Sequence, residues 1–143
     1  CALPICLLES AHAILAGLDP ANEIAFALSF GKLWSVHLND QNGLKYDQDK
    51  TFGVENLRQA FNQVRVLIEN NYGAKGEYVG LDVKAMRTQK IADSYQHLRN
   101  SLQIVKLLEE KARKFDYAFQ AKCIAERNYE VLEMYVVEHL MKA

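Results

Sequence analysis

The sequence predicts an α/β fold made of parallel β-α units. Three observations predict it. Short apolar runs stand at residues 1–9, 32–40 and 77–84, helical patterns separate them, and helix is the only pattern from residue 91 onward. Runs that are apolar on both faces fit strands covered on both sides, and single helices between them fit crossover connections.

The chain has 143 residues, the size of one domain. Half of them are hydrophobic and 24% are charged, which is globular composition. Two prolines and seven glycines, with no biased tract, exclude a disordered or fibrous chain. Seventeen basic residues against eighteen acidic ones give a net charge of -1. Nucleic acid and anionic lipid both call for a clustered positive excess, so neither is an expected partner. No apolar run reaches the roughly 18 residues that span a bilayer, so no membrane partner is expected either.

Cys1, Cys6 and Cys123 are an odd count without C-x-x-C spacing. That pattern fits a reducing, cytoplasmic setting better than a disulfide framework or a structural zinc site. The first residue is Cys, which points to a processed chain or a piece of a longer one. The opening CALPICLLE has no basic start and no small-residue cleavage site, so it does not read as a signal peptide.

Each element has its own local reason. CALPICLLE (1–9) is a short apolar strand. Asp19-Pro20 offers an N-cap with proline at the first helical position, Ile24, Phe26, Ala27, Leu28 and Phe30 follow, and Gly31 ends the helix. KLWSVHLND (32–40) is the second strand, and DQNGLKYDQDKTFG (40–53) is a polar loop. From Val54 to Asn71, apolar residues Leu57, Phe61, Val64, Leu67 and Ile68 recur every three or four positions, which predicts an amphipathic helix ending before Gly73. EYVGLDVK (77–84) is the third strand. One helix is predicted from Ile91 to Phe115 and a second from about Tyr117 to Met141.

Three such strands cannot cover themselves, and an open edge on each side leaves backbone groups unpaired. Eight strands close a barrel at about 250 residues. The chain is therefore expected to be the C-terminal part of something larger, or to need partner chains that complete its sheet.

The polar residues fall at the C-terminal ends of the strands, where parallel α/β barrels carry their chemistry. The first strand ends in Glu9, with His12 in the following turn. The second ends in His37-Leu38-Asn39-Asp40, the loop carries Asp47-Gln48-Asp49, and the third run holds Asp82 with Lys84 two residues on. Converging carboxylates repel one another, and a divalent cation resolves the repulsion. Carboxylate oxygen with some imidazole and no thiolate suits Mg²⁺, Mn²⁺ or Co²⁺. An EF-hand starting at Asp47 fails, because its sixth position is Phe52 and its twelfth is Arg58.

Each residue alone also has a plain structural reading. Asp47-x-Asp49 is a solvated turn, Glu9 caps its turn, and His12 and His37 are a surface and a satisfied buried imidazole. Asp82 in an apolar strand is the hardest to read so, since a buried carboxylate needs a partner, for which Lys84 is the candidate. His97 and His139 carry no expected role.

Residues 31–61, GKLWSVHLNDQNGLKYDQDKTFGVENLRQAF, closely resemble the xylose isomerase family in the Leu-Asn at a strand end, the Tyr-Asp-Gln-Asp loop and the Phe-Gly. LLESAHAILAG (7–17) resembles that family's Glu-x-x-His turn, and GLDVKAMRTQ (80–89) its last barrel strand. The likeness runs in order over roughly residues 1 to 115. It implies the C-terminal part of a (β/α)8 TIM barrel, about strands 6 to 8, followed by a C-terminal helical extension. Residues 1–90 would carry the metal ligands, and 91–143 would serve barrel packing and oligomerisation.

The resemblance also implies two divalent cations. Glu9 would bridge them, His12, Asp47 and Asp49 would complete the catalytic site, and Asp82 would bind the structural ion. Asp49 and His12 would stand closest to the chemistry, a metal-assisted hydride shift between an aldose and a ketose. The position of His37 is an aspartate in typical members, whereas the related L-rhamnose isomerases supply a histidine there, so His37 is an expected ligand too. The glutamate that follows the family's turn histidine is Ala13 here. One further glutamate, a catalytic lysine and the sugar-gripping His and Trp come from strands that precede this stretch. The chain is thus expected to need the N-terminal remainder of the barrel or partner chains, to bind a monosaccharide only within that whole, and to be inactive alone.

The family's dimers and tetramers form through C-terminal helices. That favours an interface role for Tyr129, Leu132, Tyr135, Val136 and Leu140. The stripe Leu98, Leu102, Val105 and Leu108 faces its own barrel equally well. Two alternatives stand beside the isomerase: a related barrel enzyme, either a sugar epimerase or an apurinic-site endonuclease, and a non-catalytic assembly piece. The near-neutral charge disfavours the endonuclease.

Overall fold

The computed structural model describes residues 5–43 and 45–142. The first four residues of the expected opening strand, Cys1 among them, lie outside the described residues, as does Leu44 in the polar loop.

Three strands form one parallel sheet in chain order: β1 (Cys6–Glu9), β2 (Leu33–Leu38) and β3 (Tyr78–Leu81). Glu9 lies opposite His37, and His37 opposite Gly80. The β1–β2 register shifts once, between Cys6 and Leu7.

Side chains alternate along a strand, so Val36, Leu38, Leu8 and Leu81 share one face. Val36 and Leu38 are fully buried there, with Leu8 and Leu81 packed against the same core. The opposite face carries Leu7, Glu9, His37 and Tyr78. Leu7 is 51% exposed and Tyr78 67% exposed, so this face is covered far less than the strands' apolar character led one to expect. Strands apolar on both faces therefore pack on only one of them within this chain.

Among the described residues the chain also forms six helices: α1 (Ser10–Leu15), α2 (Pro20–Ser29), α3 (Leu57–Glu69), α4 (Gln96–Arg113), α5 (Tyr117–Ala125) and α6 (Tyr129–Met141). Asp19 caps α2 as expected, its Oδ1 accepting the Asn22 N–H at 3.0 Å, with Pro20 at the first helical position. α3 starts three residues later than its apolar period suggests, because Asn56 takes the cap and accepts the Gln59 N–H at 3.0 Å. Its buried residues Ala60, Phe61, Val64 and Leu67 recur at spacings of three and four, as the sequence requires.

Three expectations are corrected. The turn after β1 is itself a short helix, α1, too brief for a periodic signal. The helix expected from Ile91 begins at Gln96, preceded by a 3-10 turn at Ile91–Asp93. The single helix expected over 117–141 is two helices. Arg127 adopts φ +56, and the Asn128 N–H returns to the Cys123 carbonyl at 2.8 Å, which ends α5 and turns the chain into α6.

An aromatic cluster joins α3 to the C-terminal helices. Phe115 lies between Phe61, Tyr117, Tyr135 and His139, with ring centroids 5.1 to 5.7 Å away. The Arg65 guanidinium stands 5.0 Å over the Phe115 ring. His139 thereby has a packing role, with Nε2 2.8 Å from the Lys111 carbonyl. Leu132, Tyr135, Val136 and Leu140 pack against this core, so most of the stripe expected to meet neighbouring subunits is used within the chain. Of the α4 stripe, Leu108 is buried and Val105 packs on the core, while Leu102 is 48% exposed.

Candidate metal centre

The C-terminal ends of the three strands meet on the less covered face of the sheet. Glu9 is the last residue of β1, and its side chain is only 10% exposed. His37, next to the end of β2, shares its face by register. Asp82 follows β3 directly, on the same side as Gly80 by the strand's period of two. His12 comes from the first turn of α1, and Asp47 from the polar loop.

These five residues form two groups that share Glu9. Glu9, His37 and Asp82 bring one ligand atom each within 4.8 Å of the others, and so do Glu9, His12 and Asp47. The glutamate divides its oxygens between them. Oε1 lies 3.4 Å from His12 Nε2, and Oε2 lies 3.9 Å from His37 Nδ1. Asp47 Oδ2 is 3.5 Å from His12 Nε2, and Asp82 Oδ2 is 3.5 Å from His37 Nδ1.

His37 Nδ1 is buried and has no hydrogen-bond partner, although two carboxylates flank it. In the plain structural reading that nitrogen would carry a hydrogen bond. An unpartnered imidazole nitrogen facing carboxylate oxygens fits a divalent cation that prefers oxygen and imidazole. Gly80 makes room for this ring, since a Cβ there would stand 3.2 Å from His37 Cδ2.

Asp49, the sixth expected ligand, belongs to neither group. It is buried, and its backbone adopts φ +45, a conformation that aspartate tolerates. Its Oδ1 accepts from Asn39 Nδ2 at 2.9 Å, and its Oδ2 forms an ion pair with Lys84 Nζ. The Lys84 N–H also donates to the Asp49 carbonyl at 2.7 Å. The hydrogen bond and charge of Asp49 raise the Lys84 pKa above its ordinary value.

Asp82 is therefore not the partner of Lys84, as its place in the sequence suggested. Asp82 is half-exposed and turned toward His37, on the face it shares with Gly80, whereas Lys84, beyond the end of β3 at Leu81, pairs with Asp49.

Two residues that the sequence reading named at the end of the second strand, without giving either a role, hold the site together. Asn39, 1% exposed, accepts the Ala11 N–H at Oδ1 (2.7 Å) and donates to Glu9 Oε1 at 3.0 Å as well as to Asp49. The signal was available: Asn39 lies two residues past His37 and so faces the same way. Asp40, also buried, fixes the polar loop. Its backbone pairs with Lys50 in both directions, and its Oδ2 accepts the N–H groups of Glu55 (2.9 Å) and Asn56 (3.3 Å).

A shallow cavity of about 260 Å³ opens beside Glu9 and His12, bounded by Leu7, Ala13 and Leu18. The larger cavity, about 520 Å³ between α4 and α6, is lined by Ile104, Leu107 and His139 and by none of the clustered carboxylates. Among the described residues no helix is long and apolar enough to cross a membrane.

No family model matches the chain. It is 36% identical over 107 residues to the xylose isomerase of Thermus thermophilus, a match that covers 75% of this chain and 27% of that protein. It is 35% identical over 107 residues to the xylose isomerase of Thermus caldophilus, with the same shares covered. The chain thus spans about a quarter of the length of these curated relatives.

Proposed function

This chain belongs to the xylose isomerase family, and from that premise we propose that it forms about strands 6 to 8 of a (β/α)8 barrel whose parent is a metal-dependent aldose–ketose isomerase. Residues 1–90 supply the barrel strands and ligands, and 91–143 supply the helices that pack on the barrel and contribute to a dimer or tetramer. The single observation that carries the metal reading is the pair of ligand groups around Glu9, with His37 Nδ1 buried and unpartnered between two carboxylates.

In this reading Glu9, His37 and Asp82 hold one divalent cation (Mg²⁺, Mn²⁺ or Co²⁺), and Glu9, His12 and Asp47 hold a second. When bound, the cations supply positive charge beside the sugar's oxygens, which stabilises the alkoxide that develops as hydride passes between neighbouring carbons. Glu9 fixes the spacing of the two groups by giving one oxygen to each. His12 and Asp47 stand at the open side, where a monosaccharide can approach. Asp49, held by Asn39 and Lys84, is the buried carboxylate nearest that side and the candidate for receiving a proton from a sugar hydroxyl. Its Oδ2 is paired with the Lys84 ammonium.

The sugar-selecting contacts come from chain outside these residues, so the 143-residue chain alone is expected to be inactive. The test is titration of the full-length parent with Mn²⁺, followed by conversion of an aldose to its ketose. Two bound ions and turnover are expected, with Asp82→Asn and Asp47→Asn each weakening one ion. A parent that binds no divalent cation, or one that isomerises as fast without cations, overturns the reading.

A further inference from the structure

We propose that Asn39 is a positioning residue that sets the orientation of Glu9 and ties the His12 side of the centre to the polar loop; this role rests on the metal reading above. Its carboxamide uses every polar atom. Oδ1 accepts the Ala11 N–H at 2.7 Å, and Nδ2 donates one hydrogen to Glu9 Oε1 at 3.0 Å and one to Asp49 Oδ1 at 2.9 Å. With 1% of the residue exposed, water cannot replace these bonds.

The three partners lie on different elements. Glu9 ends β1, Ala11 sits in the first turn of α1 beside His12, and Asp49 belongs to the loop that carries Asp47. One side chain thus registers β1, α1 and the loop against the end of β2.

The bond to Glu9 is selective between its oxygens. Asn39 holds Oε1, the oxygen nearest His12, whereas Oε2 faces His37 and Asp82 without help from Asn39. Losing the amide frees the carboxylate to rotate and releases the first turn of α1. The group of Glu9, His12 and Asp47 loses its geometry first. His12 and Asp47 stand on α1 and the polar loop, the two elements that Asn39 ties, whereas His37 on β2 and Asp82 after β3 stand outside those ties. The donor matters as much as the shape: Asn39→Asp keeps the acceptor for Ala11 but faces Glu9 and Asp49 with a third carboxylate.

The experiment is calorimetric titration of the full-length parent protein and its Asn39→Asp and Asn39→Ser variants with Mn²⁺, alongside melting curves without metal. Hydrogen bonds that orient metal ligands commonly change affinity by about 10- to 100-fold. The parent is expected to bind two ions. Each variant should bind one ion within about threefold of the parent's affinity and the other at least about tenfold more weakly. Two ions bound with unchanged affinities by a folded variant overturn the role. So does an equal loss of both ions, which marks Asn39 as a general support of the fold, and so does failure of both variants to fold. A parent that binds no ion overturns the metal reading itself, a result that no variant can mimic.

Discussion

Gly80 and His37 lie side by side on the sheet, and the space where Gly80 would carry a Cβ is 3.2 Å from His37 Cδ2. The missing side chain on β3 is what lets the imidazole lie against the sheet with Nδ1 turned toward Glu9 and Asp82.

Gly80→Ala should therefore push the ring by a few tenths of an ångström. The ring is one-third exposed and can yield, so stability should change by less than about 1 kcal/mol. Under the proposed metal reading, affinity for the ion at Glu9, His37 and Asp82 should fall, while that at Glu9, His12 and Asp47 should be unaffected. Denaturant unfolding together with Mn²⁺ titration checks both halves.

Asp47 and Asp49 stand two residues apart, yet their replacement by Asn should give different results. The Asp47 side chain is 39% exposed and faces His12. Asp47→Asn should weaken metal binding and leave the melting temperature nearly unchanged. Asp49 is buried between Asn39 and Lys84. Asp49→Asn removes a charge-assisted bond and should cost about 1–3 kcal/mol of stability. Equal melting temperatures for the two variants would contradict this difference.

Gly53 joins the polar loop to α3 at φ +78, and a Cβ there would stand 2.9 Å from Ile104 Cγ2 on α4. Gly53→Ala adds backbone strain to a collision with a β-branched side chain. A loss of about 1–3 kcal/mol is expected in denaturant unfolding. Ile104→Ala in the same chain should recover only part of it, because the backbone strain remains.

Phe61 is fully buried among Phe115, His139 and the Arg65 guanidinium. Phe61→Ala should cost about 3–5 kcal/mol. Helical circular dichroism from α5 and α6 should melt earlier than in the unaltered chain, since their contact with α3 runs through this ring cluster.

Tyr72, which follows α3, has its pKa raised to about 12, first by burial and then by the charges of Glu77 and Cys6. Its hydroxyl lies 3.3 Å from the Tyr78 carbonyl. A phenol that resists ionisation only when folded contributes stability that is complete below the ordinary value of 10. That contribution is lost as pH rises from 10 toward 12. Tyr72→Phe should flatten the alkaline fall in stability over that interval. Tyr117 has a pKa raised by burial as well, so some slope should remain.

What could be read from the sequence was whatever leaves a local pattern. Apolar runs marked β1, β2 and β3, the period of Phe61, Val64 and Leu67 marked α3, and Asp19-Pro20 marked the start of α2. Five of the six expected ligands do come together at the strand ends. The remainder depended on contacts across the chain. α1 is only six residues long, and the α5–α6 break contains no glycine or proline, only Arg127 in a left-handed conformation. Lys84 could have turned to Asp82 or Asp49 on spacing alone. The backbone bond from Lys84 to the Asp49 carbonyl, formed after β3 has ended, decides for Asp49.

Because Glu9 serves both imidazoles from the tip of one short strand, the two halves of the centre share a single alignment. A slip of β1 by one residue along β2 would turn Glu9 to the far side of the pleat and withdraw both its oxygens at once. The register shifts once on the way to Glu9, between Cys6 and Leu7. Folding errors at that point would not yield a half-built centre. They would yield none.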